Sequence, residues 1–181
     1  MTIGIISTRY ARALYSLAFD EGVEERVYDE LSSLLRQLRG FPEIKSYISS
    51  PIIVKGEKVD LLIVCAGGDG ISERTKEFLS FVFEQEKDDL LQFMCVAYRQ
   101  VYRKSKGILL VKLVSAYKMD DKIVERICAG IEERYHGKVE LESYIDESII
   151  GGFIVTVDNN RLDSSVSGEL EKIKKEMLCR N

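Results

Sequence analysis

The side chains able to do chemistry are few here, and they do not gather. Cys65, Cys95, Cys128 and Cys179 are the thiols, and His136 is the one imidazole. A zinc site needs closely spaced cysteine pairs and thioredoxin chemistry needs C-x-x-C, and neither spacing occurs. The cysteines therefore read as small buried hydrophobes. His136 falls near the end of an expected helix, where a cation suits the helix dipole, and it reads as part of that helix end rather than as a base or ligand. The acidic doublets Asp88-Asp89, Asp120-Asp121 and Glu132-Glu133 belong to helix caps and solvated faces. Two glycine clusters invite a phosphate cradle, which places its glycines between a strand and the following helix. Gly67-Gly68-Asp69-Gly70 has no Lys-Ser or Lys-Thr after it, and Gly151-Gly152 precedes its strand. The expectation is a protein with no catalytic residues, no cofactor and no metal.

Gly151-Gly152 reads instead as a bend, since glycine adopts backbone angles closed to other residues. The bend feeds Phe153 to Val157, a β-branched and aromatic strand. Asp158-Asn159-Asn160 is turn chemistry, and Asp163 or Ser164 then caps a helix whose apolar positions Val166, Leu170, Ile173 and Met177 recur at spacings of three and four. Upstream, Ile108 to Val114 is a strand by residue type and length. Asp120 or Asp121 caps a helix with Ile123, Ile127 and Ile131 on its inner face, and Lys138 to Tyr144 alternates as a half-exposed strand does. The order strand, helix, strand, strand, helix makes a small C-terminal α/β domain over residues 108–181.

The N-terminal part is helical. A first helix starts near Ser7 or Thr8 and ends at Gly22. Between Arg9 and Phe19 its polar residues Arg9, Arg12 and Ser16 fall on one narrow stripe at about 100° per residue. Such a wide apolar arc exceeds what one core requires. It fits a central helix of a bundle, or a helix buried on one side by its own domain and on the other by a partner. Helix two carries Val27, Leu31, Leu34, Leu35 and Leu38 and closes at Gly40. A short helix follows Pro42, a first-turn residue, and breaks at Pro51. Helix four runs from Lys55 to Ala66, helix five is capped by Ser72, and helix six spans Asp88 to Lys104. Helix five presents F-L-S-F-V-F around most of its circumference. These segments suggest a six-helix bundle over residues 1–104, followed by a polar hinge at Arg103–Gly107. The fold class is α+β.

An apolar content of 45% with 31% charged residues suits a globular chain with a real core. The net charge of −4 leaves no electrostatic footprint for nucleic acid. No apolar run approaches the roughly 20 residues of a membrane span, and the first residues lack the basic start of a secretory signal, so a cytosolic protein without direct membrane insertion is expected.

The stretch with Gly151-Gly152, an apolar strand, Asp163-x-Ser165-Val166 and Leu170 resembles the C-terminal signature of the delta subunit of F-type ATP synthases, the bacterial counterpart of the oligomycin-sensitivity-conferral protein. Ser164 stands where relatives often carry Gly. The R-Y-A-R-A-L-Y stretch from Arg9 to Tyr15 resembles the opening of the same family, and Ser115-Ala116 its first C-terminal strand end. The resemblance implies a non-catalytic stator component, peripheral at the cytoplasmic face of the bacterial membrane, that ties the catalytic head to the peripheral stalk. It also implies two partners, the N-terminal helix of a head alpha subunit and the stalk b subunits, with the isolated chain a monomer. The excess apolar surface of helices one and five places the first partner in a trough lined by Tyr10, Ala13, Leu17, Phe78, Phe81 and Val82, by the helix-in-groove mode. The other reading is a small-molecule-sensing regulatory protein that uses Gly151-Gly152 as its ligand approach.

Overall fold

The computed structural model describes residues 3–157 and 160–178, so the expected turn at Asp158-Asn159, and Cys179, lie outside the described residues. The fold is α+β. The chain separates into two compact units, Met1–Tyr102 and Arg103–Asn181.

The first unit is built from α1 (Ile3–Asp20), α2 (Glu24–Gly40), α3 (Pro42–Ser49), α4 (Lys55–Ala66), α5 (Glu73–Glu84) and most of α6 (Leu91–Lys106). Its core is centred on α2, whose Val27, Leu31, Leu34, Leu35 and Leu38 are all buried at helical spacing. Leu62 of α4, Leu79 and Phe83 of α5, and Met94 and Tyr98 of α6 complete it. Helix α6 begins three residues later than expected, after a 3-10 turn at Asp88–Leu90, and continues to Lys106. The residues read as a hinge, Arg103 to Lys106, are thus its last turn, and the chain leaves it at Gly107 with φ +64°.

One polar knot crosses this core. Glu30 of α2 is buried, yet it accepts hydrogen bonds from the Ser72 backbone N–H (2.6 Å), the Ser72 hydroxyl (2.6 Å) and the Thr75 hydroxyl (2.5 Å), with Arg26 Nε at 3.2 Å. A buried carboxylate is tolerable only when hydrogen-bonded in this way. The Ser72 hydroxyl also caps α5, accepting from the Thr75 N–H. Glu30 therefore fixes where α5 starts.

The second unit holds β1 (Ile108–Ser115), α7 (Asp121–Tyr135), β2 (Lys138–Ile145), β3 (Gly152–Val157), β4 (Asn160–Ser165) and α8 (Val166–Leu178). The sheet order is β2-β1-β3-β4, with β1 and β2 parallel and the other pairs antiparallel. The parallel pair requires a crossover, and α7 supplies it. One sheet face carries Val111, Leu113, Val155 and Val157 against Val124, Ile127 and Ile131 of α7. Val124 takes the inward place expected for Ile123, which is exposed. Asp120 caps α7, and His136 ends it in the left-handed region at φ +53°.

The fourth strand corrects the expected strand-helix-strand-strand-helix order. Asn160 to Ser165 pairs residue for residue with β3, from Val157–Asn160 to Gly152–Ser165. Asn, Asp and Ser are poor strand formers, so this edge strand is imposed by its neighbour and not by its own composition.

Candidate functional site

Helices α1 and α5 run antiparallel. The Tyr10 ring meets that of Phe81 at 5.8 Å between centroids, while Arg74 near the start of α5 pairs with Glu21 just beyond the end of α1. Ala11, Leu14 and Ala18 turn the inner face of α1 into the core. The opposite flank is left open, and between it and α5 lies a groove of about 990 Å³. Tyr10, Ala13, Leu17, Phe78 and Phe81 line it. Leu17 and Phe81 are 48% and 47% exposed, which is high for large apolar side chains lying on facing walls of one groove. Val82 does not line it. It is fully buried, because four residues after Phe78 it falls on the core side of α5, while Phe81 and Glu77 face the opening.

Charge rims the groove. Arg74 Nε lies 3.2 Å from Glu21 Oε2 and Arg74 Nη1 2.6 Å from Glu77 Oε2, and Lys76 lies 3.4 Å from Glu73. The hydrogen bond from Arg74 holds the Glu21 carboxyl below its ordinary range. The sequence reading missed this polar rim, and it missed Ile5 and Ile6, which extend the apolar lining toward the start of α1. The alternating charges of α5 were the available signal.

The C-terminal signature is a packing device. Gly152 has φ +75°, and a Cβ there would overlap the Ser164 carbonyl oxygen across the β3–β4 ladder. A Cβ on Gly151 would lie 3.2 Å from Val166 Cγ2. The backbone has already filled the space that a ligand approach to Gly151-Gly152 would use. The positive φ preceding them falls on Ile150 (φ +68°), centre of a turn closed by the Gly151 N–H to the Ile149 carbonyl at 2.8 Å.

Helix α8 is capped by Ser165, not by Asp163 or Ser164. The Ser165 hydroxyl accepts from the Gly168 N–H at 3.1 Å and donates to Asp163 Oδ1 at 2.5 Å. Asp163 also accepts from the Ser165 N–H at 3.1 Å and from Arg161 at 2.9 Å. These donors, the Ser165 hydroxyl foremost, lower the Asp163 pKa to about 2. Gly168 escaped the sequence reading, although a Cβ there would sit 2.9 Å from Asp163 Oδ1. Val166, Leu170, Ile173 and Met177 form an apolar stripe on α8 that is exposed along its whole length.

Cys95 is buried and its thiol pushed up to about 12 by burial, and burial also raises Cys65 and Cys128, so these are poor nucleophiles. Among the described residues no group of His, Cys, Asp and Glu could hold a metal.

The family model described as ATP synthase delta (OSCP) subunit matches residues 6–177. The chain belongs to this family. It is 35% identical to ATP synthase subunit delta of Phocaeicola vulgatus, over 100% of this chain and 98% of that one. It is 36% identical to the subunit of Bacteroides fragilis and 30% to that of Rickettsia rickettsii, with the same coverage. A chain of the Toxoplasma gondii mitochondrial ATP synthase hexamer superposes with a TM-score of 0.78 at 23% identity over 98% of both chains, showing the shared fold.

Proposed function

We propose that this chain is a non-catalytic stator component of an F-type ATP synthase, linking the catalytic head to the peripheral stalk and so supporting proton-driven ATP synthesis. A part that resists rotor torque needs extended apolar docking surfaces and no reactive centre. The open groove between α1 and α5 carries the reading. It takes the N-terminal helix of a head alpha subunit, with Tyr10, Ala13, Leu17, Phe78 and Phe81 as its lining. Helices α1 to α6 act in this as one six-helix bundle. The exposed stripe of α8 takes helices of the peripheral-stalk b subunits. The chain is then held at the cytoplasmic face of the bacterial membrane through its partners; among the described residues no helix is long and apolar enough to cross a membrane.

The test is calorimetric titration of a synthetic peptide from the N-terminus of the same organism's alpha subunit into the purified protein. One-to-one binding to the wild type, lost in Phe81→Ser but kept in Leu170→Ser, supports the groove as its seat. Equal binding to wild type and Phe81→Ser refutes that placement.

A further inference from the structure

Helix α8 leaves its unit almost at once. Its start is held by the Ser165 cap and by the Val166 N–H, which donates to the Gly151 carbonyl at 3.0 Å. From Glu169 to Met177 every residue is exposed, on all sides of the helix. A helix of this length is marginal in water on propensity alone and draws its stability from the packing of an apolar face. That face is present and unpacked: Leu170 and Ile173 are each 53% exposed and Met177 is 68% exposed. Val166, Leu170, Ile173 and Met177 follow one another at four, three and four residues. This is the alternation of a coiled-coil seam, with Leu170 and Met177 at a and Val166 and Ile173 at d. A helix that packs on a globular core carries a broader stripe than this strict a/d line.

The flanks of the seam say what covers it. Position g is Glu169, and position e of the next heptad is Lys174. In a parallel pair these positions face each other across the seam, g of one strand against e of the other. A second copy laid parallel therefore sets Glu169 against Lys174 on both sides, two opposite-charge pairs from one sequence. An antiparallel copy sets the g glutamates, Glu169 and Glu176, against each other. Glu169 and Lys174 have no partner among the described residues, whereas Glu171 and Lys175, on the outer side of the helix, pair with each other at 3.4 Å. We infer that the free chain associates with a second copy of itself through α8, the two helices parallel and in register, with Glu169–Lys174 pairs flanking the apolar seam. Leu at a with β-branched residues at d also admits further strands, each keeping the same contact with its neighbour. Two heptads are short, so the association is weak and the helix firms as copies meet. The free chain is then not the monomer that the family resemblance implies. The inference does not rest on the stalk role proposed above; a stalk helix on the same stripe displaces the copy.

Sedimentation equilibrium of the full chain from about 10 µM to about 1 mM spans weak association, and the mass should rise above the 20.6 kDa of one chain. Ile173→Ser should hold it at one chain throughout. Glu169→Lys and Lys174→Glu, each alone, turn both flanking attractions into repulsions and should weaken self-association about ten-fold at low salt, an effect that salt erases. Mixing these two variants, or combining both changes in one chain, places opposite charges at each flank again and should restore wild-type affinity. Circular dichroism of each variant checks that the rest of the chain keeps its fold. A wild type that stays one chain overturns the inference, and so does association that Ile173→Ser leaves intact. Association that is lost in Ile173→Ser, yet gains nothing from the mixture or the double reversal, overturns the parallel register. No head or stalk subunit is present in these samples, so failure here leaves both of those assignments standing.

Discussion

Ala13→Asp is the most informative perturbation of the groove. Ala13 lies on the exposed flank of α1, while the core-facing residues of that helix are Ala11, Leu14 and Ala18. In the free protein the new carboxylate is solvated, so only the small loss of helix propensity is felt, about 0.5 kcal/mol. Covered by a bound helix, the carboxylate loses its water, and Arg9, one turn earlier on the same wall, is the one neighbouring cation able to offset part of that loss. The penalty is bounded, because the group can take up a proton instead of remaining charged. Neutralising a carboxylate of ordinary pKa near 3.9 at pH 7 costs roughly 4 kcal/mol, at 1.36 kcal/mol per pH unit. Peptide affinity should therefore fall by up to about a thousand-fold at pH 7. Because the bound state holds the proton, the deficit should shrink as pH falls, to roughly 1.5 kcal/mol at pH 5. Calorimetric titration of the alpha-subunit peptide at the two pH values measures both numbers, and a urea melt of the free variant checks the fold. Wild-type affinity in a folded variant, or a collapse of the helical unit, would refute the assignment of this flank as a docking surface.

Other expectations concern the framework. Glu30→Ala strands the Ser72 N–H and the Ser72 and Thr75 hydroxyls, and should lower stability by about 3 kcal/mol in urea denaturation. A loss under 1 kcal/mol would mean that water replaces the carboxylate. Gly152→Val forces a β-branched residue to φ +75° against the Ser164 carbonyl, and should abolish cooperative melting of the second unit, whereas Ser164→Gly should melt near the wild type. Asp163, with its pKa lowered to about 2, contributes stability that is present above the ordinary carboxylate pKa and lost as pH falls from about 4 to 2. Circular dichroism from pH 5 to 2 should show that loss in the wild type and not in Asp163→Asn. Limited trypsin digestion should yield fragments ending near Lys104 and Lys106 if residues 1–104 and 108–181 fold separately, and a single resistant core would argue against the division.

The sequence by itself determined most element positions, because hydrophobic period and cap chemistry are local. Lys55–Ala66, the Ser72 and Asp120 caps and the strand at Lys138 are written in neighbouring residues. The wide apolar arc of α1 also carried more apolar surface than one core covers, and Leu17 and Phe19 are exposed while Ala11, Leu14 and Ala18 are buried. Tertiary structure decided what depends on residues far apart in the chain. Asn160 to Ser165 is a strand only because β3 lies beside it, and a polar stretch carries no sign of that. Val82 and Phe81 are adjacent and both apolar, yet one is core and the other groove, a choice set by the rotation of α5 that Glu30 fixes from 42 residues away. The Arg74–Glu21 bridge that closes the groove spans 53 residues. The cap of α8 fell on Ser165 for the same reason: pairing with β3 carries the strand through to Ser165, so the helix starts only after it and the Ser165 hydroxyl is the one that meets the Gly168 N–H.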